Sequence, residues 1–253
     1  MVTQTTDSST LLNSLLGSTA GMSNFVVSTN ASALAYGTFS GGVNPISMSN
    51  GIVLSTGSVA QIPGANTISA SGNDLSTDLS GSDDVQLTVT FTADTATDLF
   101  FNFVFGSEEF LEYSGSIYND LFELSLNGVN LAKLSNNQNV TINNLTPNSN
   151  PANAHPDYIN YPAGPGTVMK LDGFIRVLGF TGALNVGMTN TLVIRIADVG
   201  DSAWDSAVFI KGLGSTSVSS VVPEPASIVS LALGLVCCAA GCFRRRKAAA
   251  SAV

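Results

Sequence analysis

The apolar residues of this chain come in short runs, and the clearest run alternates strictly. In Val85 to Phe91, Val85, Leu87, Val89 and Phe91 fall on one side and Gln86, Thr88 and Thr90 on the other. That period of two belongs to a strand with one buried face. Leu99 to Phe105 (LFFNFVF) is more continuous, as expected of a central strand covered on both faces. Ile52-Val53-Leu54, Leu121 to Leu126, Leu192 to Ile196 and Ala207 to Ile210 read as further strands. Asn127-Gly128, between LFELSL and VNLAKL, is a hairpin signal because a two-residue type I′ turn needs positive φ at both positions. Ser9 is expected to cap a short helix that carries Leu11, Leu12, Leu15 and Leu16 on one face and stops at Gly17. Short strands separated by Ser, Thr, Asn and Gly predict an all-β fold: a single sandwich- or jelly-roll-like domain with a short N-terminal helix. Residues 143–166 hold five prolines and read as a long, mobile loop.

Charge narrows the function classes. Hydrophobic residues make up 44% of the chain and charged ones 11%, which excludes disorder along its whole length. Residues 1–222 carry five basic residues against seventeen acidic ones, a formal charge of −12. Such a surface repels nucleic acid, which is bound through clustered Lys and Arg. All three cysteines, Cys237, Cys238 and Cys242, lie near the C-terminus. The remainder therefore has neither a disulfide framework nor a Cys-based zinc site.

Ala226 to Phe243 is 18 residues without a charge, and Arg244, Arg245, Arg246 and Lys247 follow at once. A helix of that length spans about 27 Å, close to the ~30 Å core of a bilayer. A basic cluster at its end is the expected cytoplasmic flank. Residues 226–243 are thus predicted to form a C-terminal transmembrane helix, with the bulk of the chain outside. Val222-Pro223-Glu224-Pro225 stands just before it, and two prolines keep that stretch extended and accessible. The order VPEP, apolar span, RRRK resembles the PEP-CTERM sorting signal of Gram-negative bacteria. The resemblance implies an exosortase-type processing enzyme as partner, with Pro223, Glu224 and Pro225 as its recognition motif. Arg244 to Lys247 would be the retention cluster. The chain would pass through an inner-membrane sorting intermediate to the cell surface or extracellular matrix. Such a protein is expected to open with a signal peptide. Met1 to Gly21 has no Lys or Arg, and its leucine pairs are too short and polar for an h-region, so either a start further upstream, the favoured reading, or another export route is expected.

Two further clusters carry a second resemblance. One is Phe103-Val104-Phe105-Gly106-Ser107-Glu108-Glu109-Phe110 with Tyr118-Asn119-Asp120-Leu121-Phe122. The other is Ile196-Ala197-Asp198-Val199-Gly200-Asp201-Ser202-Ala203-Trp204-Asp205-Ser206-Ala207-Val208-Phe209. Together with Gly51 to Gly57 (GIVLSTG) and Asp172-Gly173-Phe174, they resemble the choice-of-anchor L domain. Gly106 and Phe110 stand where that family usually has Ala and Tyr. The expected division is an N-terminal segment over 1–21, the β domain over 22–214, a linker over 215–222, the sorting signal over 223–247 and a tail over 248–253.

The carboxylates of these motifs are the candidate site. Asp198, Asp201 and Asp205 fall on a turn between two apparent strands. With Glu108, Glu109 and Asp120 they offer the crowded oxygen ligands that Ca²⁺ takes. Aspartates also cap backbone N–H groups in turns, and Arg195 could pair with one of them, so the residues leave both readings open. Trp204, Tyr113 and Tyr118 could stack on sugars, or pack into the core. The domain is therefore expected to be a non-catalytic binder of extracellular polysaccharide or of surface proteins, with Ca²⁺ as its one candidate cofactor. The alternative is a secreted carbohydrate-active hydrolase with paired carboxylates, for which Glu108 or Glu109 would need a partner such as Glu112 or Glu123. A Ser-His-Asp triad would have to use His155, and no G-x-S-x-G elbow is present.

Overall fold

The computed structural model describes residues 1–43, 45–67 and 84–217. The strictly alternating run is β5 (Asp84–Ala93), whose exposure alternates residue by residue along its length. It lies second in a six-stranded sheet ordered β2 (Met22–Thr29), β5, β13 (Thr189–Ala197), β7 (Leu121–Leu126) and β8 (Val129–Asn130), with β9 (Val140–Thr141) also on β7. The other sheet has eight strands. Its order is β1 (Val2–Gln4), β3 (Tyr36–Val43), β4 (Met48–Ser55), β14 (Ser206–Ser217), β6 (Ala96–Ser107), β11 (Gly173–Ile175) and β10 (Tyr158–Asn160), with β12 (Leu178–Ala183) also on β6. Every pairing between these strands is antiparallel. The all-β sandwich read from the sequence is what forms.

The inward rows of the two sheets make one core. Phe103 of β6 meets Phe122 of β7 with ring centroids 5.1 Å apart, joining sheet to sheet. The buried Tyr36 of β3 crosses the same gap: its hydroxyl donates to the Gln86 carbonyl of β5 at 2.9 Å and accepts from Ala31 N–H at 3.1 Å. A buried Tyr hydroxyl needs such partners. The LFFNFVF run occupies the interior of its sheet as expected, but its exposure alternates until Phe103, and only residues 103–107 are buried throughout.

Local signals were read with one shift. The helix is α1 (Ser8–Leu15), and its cap is Asp7 rather than Ser9. Asp7 Oδ1 accepts from Thr10 N–H at 2.8 Å, and the Ser9 hydroxyl donates to that same oxygen. A carboxylate two residues earlier out-competes the serine because it accepts from both. Leu11, Leu15 and Leu16 are buried. Residues 1–21, expected as a leading segment, give β1 and α1 to a unit that runs from Met1 to Ser217. Asn127 and Gly128 have φ of 52° and 83° and turn β7 into β8, as the hairpin signal requires.

The proline-rich segment 143–166 is folded onto the body, against the expectation of a mobile loop. It begins inside α2 (Ile142–Leu145) and supplies β10. The buried Asp157 accepts from Arg176 Nε at 2.7 Å and from Ser135 N–H at 2.7 Å, while Asn66 Nδ2 donates to the Tyr161 carbonyl at 3.3 Å. Burial works against the Asp157 anion, but those bonds hold its carboxyl below the usual range. The expected transmembrane helix, Pro223 to Pro225, Arg244 to Lys247, and most of the 215–222 linker lie outside the described residues. Among the described residues no helix is long and apolar enough to cross a membrane.

Candidate functional site

All the motifs that carried the family resemblance meet at one end of the sandwich. β4 ends at Ser55, β6 at Ser107 and β13 at Ala197, while β7 starts at Leu121 and β14 at Ser206. Antiparallel pairing brings these five termini together from both sheets. Ser206 N–H donates to Thr56 Oγ1 at 2.9 Å, and Thr56 N–H returns to the Ser206 carbonyl at 3.0 Å. Glu108 N–H donates to the Asp205 carbonyl at 3.1 Å, and Asp172 N–H to the Ser107 carbonyl at 3.0 Å. Gly57 lies so close to the Asp205 carboxylate that a Cβ there would land on it.

The six candidate carboxylates do not share one fate. Asp205 is buried and accepts from Thr56 Oγ1 at 3.1 Å. Asp120 is buried, its Oδ2 accepting from Ser206 Oγ at 2.6 Å and its Oδ1 from Val199 N–H at 3.0 Å. Burial raises its pKa; the Ser206 and Val199 bonds work against that rise. Asp201 is exposed and accepts from Ala203 N–H at 3.3 Å. Turn capping is thus what Asp201 does here, and Asp205 and Asp120 are tied to hydroxyls and backbone.

Glu109 is different. Glu108 and Glu109 both stand beyond the end of β6, and both are buried. The two Glu109 carboxyl oxygens are out of contact with solvent and meet no hydrogen-bond donor. Burial, and then the negative charges of Asp120, Asp201, Glu108 and Glu112, push its carboxyl up to about 9. Arg195 gives none of these acids relief. It forks onto Asp84 at 2.7 and 2.9 Å and reaches Glu123 at 2.9 Å. That also takes Glu123 away from the glycosidase pairing considered for it. Among the described residues no group of three His, Cys, Asp or Glu side chains already stands arranged to hold a metal ion.

The aromatic residues of the motifs are neither core nor open platform. Tyr113 packs on Trp204 at 4.4 Å and edge-on against Tyr118 at 5.5 Å, and all three are half-buried. Tyr113 N–H donates to the Glu109 carbonyl at 3.1 Å. The rings therefore pack on one another, and Tyr113 is held beside Glu109 through the backbone.

A second feature was not singled out in the sequence. Where the edge of one sheet, β12, approaches the edge of the other, β8, there is a groove of about 480 Å³. Leu131, Leu178 and Phe180 give it an apolar floor, and Asn130, Lys133, Ser135, Asn137 and Thr181 give it polar walls. Phe180 stacks one face on Phe101 at 5.3 Å. A further hollow of about 300 Å³, lined by Asn127, Val129, Leu131 and Ala183, shares Leu131 with it. The polar run Ser135 to Gln138 directly after a short strand was the one available signal. The groove's other wall is some 45 residues further along the chain, so no local pattern marks it.

Comparison with known proteins gives two family matches. The choice-of-anchor L domain matches residues 1–216, and the PEP-CTERM protein-sorting motif matches residues 221–246. No curated protein matches the chain. Among solved structures, a family 35 carbohydrate binding module from an environmental isolate aligns at 13% identity and a TM-score of 0.25, covering 62% of this chain and 86% of that one. The enzymatically active domain of bacteriophage CBA120 tailspike protein 4 aligns at 9% identity and a TM-score of 0.27, covering 76% of this chain and 19% of that one.

Proposed function

The chain belongs to the choice-of-anchor L domain family, and from that premise we propose that it is a non-catalytic surface module that binds a neutral extracellular polysaccharide along its lateral groove. Its sorting motif marks it for export through the membrane to the cell surface or extracellular space. On this reading residues 226–243 hold the chain in the membrane until an exosortase-type enzyme cuts near Pro223-Glu224-Pro225.

The groove is the observation that carries the binding role. Its volume lies within the ~300–1,000 Å³ range of ligand sites. Its lining pairs an aromatic and aliphatic floor, suited to the C–H face of a sugar ring, with amides, hydroxyls and one ammonium for the sugar hydroxyls. A second hollow beside it, sharing Leu131, suits an extended polymer better than a compact ligand. Charge supports the neutral class: a body with formal charge −12 repels polyuronates. The burial of Glu108 and Glu109 and the Arg195–Glu123 pair favour binding over hydrolysis.

The test is affinity electrophoresis of the purified chain through gels holding xylan, laminarin, dextran or alginate, with assay of reducing ends in parallel. Retardation by at least one neutral polymer and not by alginate, without new reducing ends, is expected. Release of reducing ends would favour the hydrolase instead. Equal mobility in every gel would remove the glycan reading.

A further inference from the structure

We propose that the acidic cluster beside Tyr113, made by Glu109, Asp120, Asp198 and Asp201, is a divalent-cation site, selective for Ca²⁺, in which Glu109 is the principal ligand. This stands apart from the groove, on other residues at the strand-terminus end of the sandwich. The first observation is the convergence itself. Glu109 from the end of β6 lies in the field of Asp120, just before β7, and of Asp201 in the β13–β14 turn, and Asp120 is tied to that same turn through Val199 N–H at 3.0 Å. The second is independent of it. Glu109 is fully buried, and both its carboxyl oxygens lack any hydrogen-bond donor. A buried carboxyl without donors is costly, and a chain without a use for it there would place an apolar residue of that size.

The chemistry selects the ion. Four of the basic side chains are committed elsewhere: Arg195 to Asp84 and Glu123, Arg176 to Asp157, Lys211 to the Ser14 carbonyl and Lys133 to Asn139. All the offered ligands are hard oxygens, which suit Ca²⁺ or Mg²⁺ and not softer metals. The carboxylates are not gathered around one point in the cation-free arrangement. Binding must therefore draw the β13–β14 turn, with Asp198 and the exposed Asp201, towards Glu109. Ca²⁺ tolerates irregular sets of six to eight oxygens, including carbonyls and waters, whereas Mg²⁺ demands a near-ideal octahedron. A site closed by a loop therefore favours Ca²⁺.

The test uses the full-length chain in mild detergent, stripped with chelator. Tb³⁺, a luminescent stand-in for Ca²⁺, is added with excitation of Tyr113 and of Trp204, the only tryptophan. Sensitised Tb³⁺ emission displaced by Ca²⁺, and a rise in melting temperature with Ca²⁺ that Mg²⁺ does not match, are expected. Glu109→Gln keeps the shape and should lose the emission and the Ca²⁺-dependent rise, while its cation-free melting temperature stays at or above that of the parent. Asp201→Asn, at an exposed position, guards against a folding defect and should weaken Ca²⁺ by about tenfold. Absence of emission and of any Ca²⁺ shift in the parent chain would overturn the site. So would an unchanged Ca²⁺ response in Glu109→Gln.

Discussion

Ser206 donates its hydroxyl to Asp120 Oδ2 at 2.6 Å, and this bond ties the first residue of β14 in one sheet to the residue before β7 in the other. Both are buried. Asp120 Oδ1 meanwhile takes Val199 N–H, and the Asp120 carbonyl takes Ile142 N–H at 3.1 Å. One aspartate thus pins three chain segments at the end where the family motifs meet. Removing one donor from a buried carboxyl leaves the acceptor unsatisfied at a cost of about 1–3 kcal/mol. Ser206→Ala should lower stability by that amount in urea unfolding with the slope unchanged.

Stability should fall as pH rises through neutrality. Glu109 has its pKa raised from 4.5 to about 9 in the folded chain, so the folded state holds a proton that the unfolded state has released. Stability contributed by Glu109 is present in full below about pH 4.5 and is lost as pH climbs towards 9. Asp157 has the opposite sign: its lowered pKa means that its contribution disappears as pH falls through the acid range. Melting temperatures in chelator should therefore peak in the mildly acidic region and decline to pH 9. Glu109→Gln should flatten the alkaline limb. An alkaline limb as steep in that variant as in the parent would remove Glu109 from the explanation.

Gly128 isolates a pure backbone effect. Its φ is 83°, and a Cβ there would meet nothing within 4 Å. Gly128→Ala should cost about 1–2 kcal/mol from the left-handed conformation alone. It should leave the inter-sheet contacts intact, with the loss read as a shift in denaturation midpoint.

The sorting motif gives a cellular prediction. Replacing Pro223 and Glu224 with alanine should leave a full-length, membrane-held form in the native host, seen by blotting membrane and medium fractions. Unchanged processing would mean that the cut does not depend on this motif.

The fold was legible where period and turn chemistry agreed. β5 and the Asn127-Gly128 hairpin each carry a local signal that tertiary packing reinforces. The Asp7 cap was missed because Asp7 and Ser9, two residues apart, are both capping residue types, and which one gathers the donors depends on backbone angles. The 143–166 segment misled for a different reason. Prolines report the absence of a ladder, whereas its anchors, Arg176 and Asn66, lie far away in sequence. At the site, the motif residues were legible as a set, and their convergence followed from strand termini. Their roles were not legible: nothing local distinguishes Asp120, whose carboxyl oxygens both accept hydrogen bonds, from Glu109, whose carboxyl oxygens meet no donor. The groove was invisible because it is made by the edges of two different sheets.

The most direct measurement of the glycan-binding claim compares two substitutions for affinity towards whichever neutral polysaccharide retards the parent chain. Thr181→Arg places a bulky side chain at an exposed position of the groove wall, and Trp204→Ala alters the aromatic cover at the motif end. Loss of about tenfold or more in affinity for Thr181→Arg, with Trp204→Ala little changed, is the expected result. Unchanged binding in Thr181→Arg, with loss in Trp204→Ala, would contradict the groove and move the ligand to the motif end.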